Sequence, residues 1–133
     1  GSWHVERLVL EMVKKEISIF KTNALILGFT FKENCPDIRN TKVIDIVNEL
    51  DKYKIDTTII DPLANIEDAK LEYGVEIENK IPQNKRYSII IVAVAHNKFL
   101  ELSTEDWESM CSERSIILDI KGIVPRELRA KRP

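Results

Sequence analysis

The sequence reads as an α/β fold: a doubly wound, mostly parallel sheet of about five strands, preceded by a long helix. Three observations carry that reading. Short apolar runs alternate with stretches of helical period along the chain, the pattern of helices crossing over between parallel strands. Tyr87 to Ala95 is apolar almost without a break, as a central strand covered on both faces should be. Gly28, Asp61-Pro62 and Gly74 punctuate the chain where such runs end, each with turn-making chemistry. Together they describe a Rossmann-like sheet.

Val5, Leu8, Val9, Met12, Val13, Ile17 and Phe20 recur at helical spacing, which predicts an opening amphipathic helix of roughly five turns. Lys14 and Lys15 lie toward the end that favours cations. Lys21-Thr22-Asn23 breaks it, and Ala24 to Gly28 is the first strand. A long turn, Phe29 to Arg39, carries Pro36 and leads to a second helix. Asn40 or Thr41 can cap that helix, whose apolar face is Val43, Ile44, Val47 and Leu50. Thr57 to Ile60 is the second strand, stopped by Asp61-Pro62.

Asn65 can cap a short helix through Ala69 to Tyr73, Gly74 ends it, and Val75 to Ile77 is a weak third strand. Tyr87 to Ala95 follows, then a helix around Thr104 to Cys111 capped by Ser103 or Thr104. Ser115 to Ile120 is the last strand. The chain thus divides into a leading helix (1–23), a domain (24–126) and a basic tail (127–133) expected to fray.

A chain of 133 residues suffices for one domain with a sizeable core. Twenty basic and twenty-two acidic residues give a net charge of −2, which argues against a nucleic-acid binder. Any anionic ligand must be held by a few placed cations. Cys35 and Cys111 match no metal-ligand spacing, and no metal site is expected. With no signal peptide they read as reduced thiols of a cytoplasmic protein. The longest apolar run, Ile89 to Ala95, is too short to span a bilayer. Gly1-Ser2 looks like a cloning scar, with the natural chain expected to continue upstream.

In such sheets ligands bind beyond the carboxyl ends of the strands. The first strand ends in Gly28-Phe29-Thr30-Phe31-Lys32 and runs on to Arg39. A dinucleotide turn would need three glycines there, and the whole chain has four. Lys32 and Arg39 instead offer cations suited to a diphosphate, one as a point charge and one as a planar fork. The competing reading is a solvated loop in which Asp37 pairs locally with Arg39.

Asp61 stands where a dinucleotide fold places its ribose-binding carboxylate, but without the glycines it reads as a strand stop. His96, after the third long strand, could act as a base; a lone histidine there reads better as a structural hydrogen-bonder. Lys121 and Gly122 end the last strand. Lys121 alone is a surface lysine; with Lys32 it makes two cations on one rim. Cys35 has no neighbouring base and is set aside as a nucleophile. Trp3, Trp107 and the helix methionines read as core or interface surface.

The run LGFTFKENCPDIRNTKVIDIVNEL resembles the UDP-glucose and GDP-mannose dehydrogenases. More narrowly, it resembles the branch acting on UDP-N-acetylhexosamines or their uronic acids in bacterial polysaccharide synthesis. Ile60-Asp61-Pro62, Ala93-Val94-Ala95-His96 and Asp119-Ile120-Lys121-Gly122 lie in register downstream, and the likeness runs from about Ala24 to Arg126.

That resemblance implies the C-terminal domain of a three-part enzyme, closing over a nucleotide sugar. Phe31, Lys32 and Lys121 would contact the UDP-sugar, and Arg39 would reach across to NAD held mainly by an N-terminal domain. Lys121 replaces an arginine of the UDP-glucose enzymes, which fits a different sugar and weakens the case for a bidentate phosphate clamp. The family oxidises the C6 alcohol twice to a carboxylate, reducing two NAD through a cysteine thiohemiacetal and thioester. That cysteine and its surroundings are not in this chain, so no residue here is assigned a catalytic role and the chain alone should be inactive. The opening helix would be the join to the central region, and the parent enzyme would be a homo-oligomer.

The alternative is a stand-alone flavodoxin-like or receiver-like interaction module. A receiver wants paired acidic residues after its first strand and a phosphorylatable aspartate after its third. Phe29-Thr30-Phe31-Lys32 and His96 stand there instead. A complete oxidoreductase fails on the absent glycine fingerprint.

Overall fold

The computed structural model describes residues 2–15, 17, 18 and 22–132. Five strands form one all-parallel sheet: β1 (Asn23–Leu27), β2 (Asp56–Ile60), β3 (Ile77–Glu78), β4 (Tyr87–Val92) and β5 (Cys111–Asp119). Their spatial order is β3-β2-β1-β4-β5. Leu25 lies opposite Thr58 on one side and Ile90 on the other, so β1 sits at the centre, buried on both faces.

The period of two along each strand sorts the core into two layers. Ala24, Ile26, Ile89 and Ile91 point to one face. They meet α1 (Ser2–Lys14), α2 (Val43–Lys52) and α3 (Ile66–Tyr73) through Leu8, Met12, Ile46, Leu50 and Ala69. Leu25, Leu27, Ile90 and Val92 point the other way. There they pack on Phe99 of α4 (Asn97–Leu100) and on Trp107 and Met110 of α5 (Thr104–Met110). The doubly wound architecture is therefore as expected, and every strand is parallel.

Local chemistry explains most boundaries. Asn65 caps α3 by accepting from the Asp68 N–H at 2.9 Å, and Gly74 ends it at φ +70°. Ser103 and Asp106 form a reciprocal capping box on α5. Thr41, one of the two candidate caps, accepts from the Val43 N–H while donating to the Phe29 carbonyl. It thereby ties α2 to the segment after β1.

Four expectations need correction. The opening helix stops at Lys14, because the Ile17 N–H reaches back to the Met12 carbonyl and closes it. Ile17 still packs on the core; Phe20 and the Trp3 side chain lie outside the described residues. The single turn α4 was not foreseen. β5 starts at Cys111, directly from α5, earlier than Ser115.

The tail, expected to fray, is docked. A 3₁₀ turn (Arg126–Leu128) returns it to β5, where the Lys131 N–H donates to the Ile117 carbonyl and its own carbonyl accepts from Asp119, both at 2.7 Å. An edge strand has unpaired backbone groups, and the tail satisfies two of them. Arg7 of α1 then donates to the Arg132 carbonyl at 2.7 Å.

Candidate functional site

The strand order reverses between β1 and β4. The chain leaves β1 toward α2 on one face and leaves β4 toward α4 and α5 on the other, which opens a crevice at their carboxyl ends. A cleft of about 320 Å³ lies there, bounded by Thr30 and Phe31 after β1, Ala93 and Val94 after β4, and Ile120 and Lys121 after β5. Asn40, Lys42, Val43 and Ile46 close its remaining side.

Gly28 makes the crevice tight. Its φ is +100°, and a Cβ built there would stand 2.5 Å from the Val94 Cβ. That glycine therefore serves the close approach of the two strand ends, its open side filled by Val94.

Beneath the cleft, Asp61 is fully buried at the end of β2. Its Oδ2 accepts from the N–H groups of Phe29 (2.7 Å) and Thr30 (3.0 Å) and lies 2.9 Å from His96 Nε2. Its Oδ1 accepts from Leu63 and Ala64 at 2.8 and 3.0 Å. Burial pushes the carboxyl up, but the bonds from His96 and from the Phe29, Leu63 and Thr30 backbone outweigh it and hold Asp61 below the ordinary aspartate range. With five donors already on its two oxygens, this carboxylate has no free lone pair for a ribose hydroxyl.

His96 is equally enclosed, at 1% exposure. Its Nδ1 accepts from the Asn34 N–H at 3.0 Å, so the ring proton is assigned to Nε2, facing Asp61 and the Thr30 hydroxyl. The Thr30 hydroxyl hands its own proton to the Lys32 carbonyl. His96 is thus the structural hydrogen-bonder that its isolation in the sequence suggested.

The rim holds the sequence-picked residues in two groups. Phe31, about half exposed, and Lys121 line the same cleft. Lys121 Nζ lies 3.2 Å from Glu33 Oε1. Lys32 follows Phe31 in the same segment, exposed but outside the residues that line the cleft.

Arg39 lies elsewhere, in a separate shallow depression with Pro36, Leu71 and Glu72. Its Nε and Nη2 each donate at 3.0 Å to Asp37, the local pairing considered above. That guanidinium holds the Asp37 carboxyl below its ordinary range. Lys42 was missed. It sits in the cleft beside Asn40, and in the sequence it is one more lysine at a helix start.

A second buried aspartate shapes the opposite wall. Asp119 accepts from the N–H groups of Gly122, Ile123 and Val124 at 2.8–3.1 Å, folding the turn just after Lys121. The Arg132 guanidinium lies 3.3 Å from the same carboxylate. Among the described residues, Gly28 is consumed by Val94 and Asp61 by its five donors, so the set does not fit a dinucleotide of its own.

The model of the UDP-glucose/GDP-mannose dehydrogenase family, UDP binding domain, matches residues 25–126. The chain is 41% identical to UDP-N-acetyl-D-glucosamine 6-dehydrogenase of Salmonella typhi and 39% identical to that of Pseudomonas aeruginosa. Each match takes in 96% of this chain and 30% of the relative, so the chain spans under a third of their length. In fold it is similar to UDP-D-ManNAc dehydrogenase of Pyrococcus horikoshii (TM-score 0.75, 17% identity, 93% of this chain and 27% of that one). It is likewise similar to NDP-N-acetyl-D-galactosaminuronic acid dehydrogenase of Methanosarcina mazei (TM-score 0.75, 18% identity, 93% and 26%).

Proposed function

The chain belongs to the UDP-glucose/GDP-mannose dehydrogenase family, and from that premise we propose that it forms the nucleotide-sugar wall of an NAD-dependent UDP-N-acetylhexosamine 6-dehydrogenase. The observation that carries this reading is the cleft at the β1/β4 reversal, where Phe31, Lys42 and Lys121 converge. An exposed aromatic ring beside two ammonium groups suits a nucleoside diphosphate: the ring offers stacking area and the lysines offer phosphate charge. Lys32, on the same segment, adds a third cation at the rim.

Arg39 lies outside that cleft, exposed, with its fork held by Asp37. Its role toward NAD held by a neighbouring domain rests on the family resemblance, and it requires the fork to leave Asp37. The chain supplies binding surface, while the oxidation of the C6 alcohol, the catalytic cysteine and most of the cofactor site belong to the rest of a cytoplasmic, homo-oligomeric parent.

A half-site forfeits its partner's contacts, so the isolated chain should bind UDP with a Kd of roughly millimolar or weaker. Titrating the isotope-labelled chain with UDP should shift the amides of Thr30 to Glu33, Lys42 and Lys121. Arg39→Ala should leave that titration unchanged, and Lys121→Ala should weaken it. Shifts confined to other strand ends, or sub-micromolar binding by the chain alone, would contradict a cleft shared with another domain.

A further inference from the structure

We propose that His96 is a positioning residue of the nucleotide-sugar site, holding as a neutral imidazole the segment that presents Phe31 and Lys32. The proposal rests on the reading of those two residues as ligand-facing. The segment is suspended between two anchors. On one side the N–H groups of Phe29 and Thr30 are fixed by Asp61. On the other, the Asn34 N–H is fixed by His96 Nδ1 at 3.0 Å.

The imidazole joins the two anchors. Its Nε2 lies 2.9 Å from Asp61 Oδ2 and 3.0 Å from the Thr30 hydroxyl. A reciprocal pair of bonds between Asn34 and Asn97 braces the far end: the Asn34 amide donates to Asn97 Oδ1 and the Asn97 N–H donates to Asn34 Oδ1. Phe31, the exposed ring, hangs between these points, its N–H donating to the Asp37 carbonyl at 2.7 Å.

A histidine kept for packing alone would not need both nitrogens. Here one edge of the ring donates toward the sheet and the opposite edge accepts from the loop, an arrangement that requires the uncharged tautomer. The ring itself is 1% exposed, so its bond to Asp61 is shielded from water, while the bond to Asn34 is part-buried. Neither Asn nor Gln can do both, because their donor and acceptor share one end of the side chain.

That difference supplies the test. His96→Asn places an amide oxygen near the Nδ1 position and keeps an acceptor for Asn34. His96→Gln places an amide nitrogen near the Nε2 position and keeps a donor for Asp61. The measurements are amide hydrogen exchange at Asn34 and a UDP titration carried well past the wild-type midpoint, on the whole chain.

The expected result is that His96→Gln folds, loses protection at Asn34 and weakens UDP binding by about tenfold, one hydrogen bond's worth. His96→Asn should keep the protected Asn34 amide and most of the affinity. A folded His96→Gln protein with wild-type Asn34 exchange and wild-type UDP affinity overturns the proposal. Should His96→Gln not fold, a folded His96→Ala protein with wild-type Asn34 exchange and wild-type UDP affinity overturns it equally. If the wild-type chain shows no response to UDP, the functional reading has failed; Asn34 exchange in the variants still decides whether His96 holds the segment.

Discussion

Glu33 and Lys121 face each other across the mouth of the cleft, carboxylate oxygen to ammonium nitrogen at 3.2 Å. The Glu33 backbone N–H and the Lys121 ammonium together hold this carboxylate below its ordinary range. On the proposed reading, a protein carboxylate occupies a cation that a diphosphate would use.

Removing that competitor should help binding. Glu33→Gln is expected to tighten UDP binding by about two- to threefold at low salt, the scale of a half-exposed ion pair, and to lose the advantage at high salt. Titrations at two ionic strengths check this. Equal affinities at low salt would show that Lys121 does not meet the phosphates.

Asp61 sets an acid limit on stability. Its folded value lies below that of an ordinary aspartate, so its contribution is complete above the unfolded value and is lost as pH falls through the folded one. Asp61→Asn should flatten that part of the profile. It should also cost about 3 kcal/mol near neutral pH, because an amide NH2 would confront donors at Phe29 and Thr30. Denaturant midpoints across an acid series measure both effects; parallel profiles for the two proteins would refute the assignment.

The two left-handed glycines at strand ends separate crowding from backbone strain. Gly28→Ala should destabilise by about 2–4 kcal/mol, since the new methyl meets Val94 at 2.5 Å as well as a φ of +100°. Gly122, at φ +73°, faces open space, so Gly122→Ala should cost only about 1 kcal/mol. Comparable melting temperatures for the two variants would mean that β1 and β4 can part without penalty.

Much of this was legible in the chain because the signals are local. Ala24 to Gly28 and Tyr87 to Ala95 are apolar on both faces, Asn65 and Ser103 carry their capping chemistry in their own side chains, and Gly74 ends α3 because it has none. The rule that strand ends gather put Lys121 on the rim, but it paired Lys121 with Lys32, which lies outside the cleft lining, while Phe31 was picked by resemblance alone. What escaped depends on contacts between distant segments. Lys42 enters the cleft because Thr41 binds the Phe29 carbonyl, twelve residues back. His96 gains its role from Asn34 and Asp61, in two other loops. The tail holds to β5 by backbone bonds, which leave no trace in side-chain periodicity.

The contact between Arg7 and the Arg132 carbonyl, with Lys131 reaching Glu11 at 3.5 Å, brings the first helix and the last described residues side by side. The fold is in that sense a ring with a seam. Circular permutation, with the seam bridged by a short flexible linker and new ends opened at the exposed Asn84 turn, would leave the whole rim uninterrupted. Phe31, Lys42 and Lys121 could then be carried on a chain whose beginning and end lie at the opposite pole of the sheet.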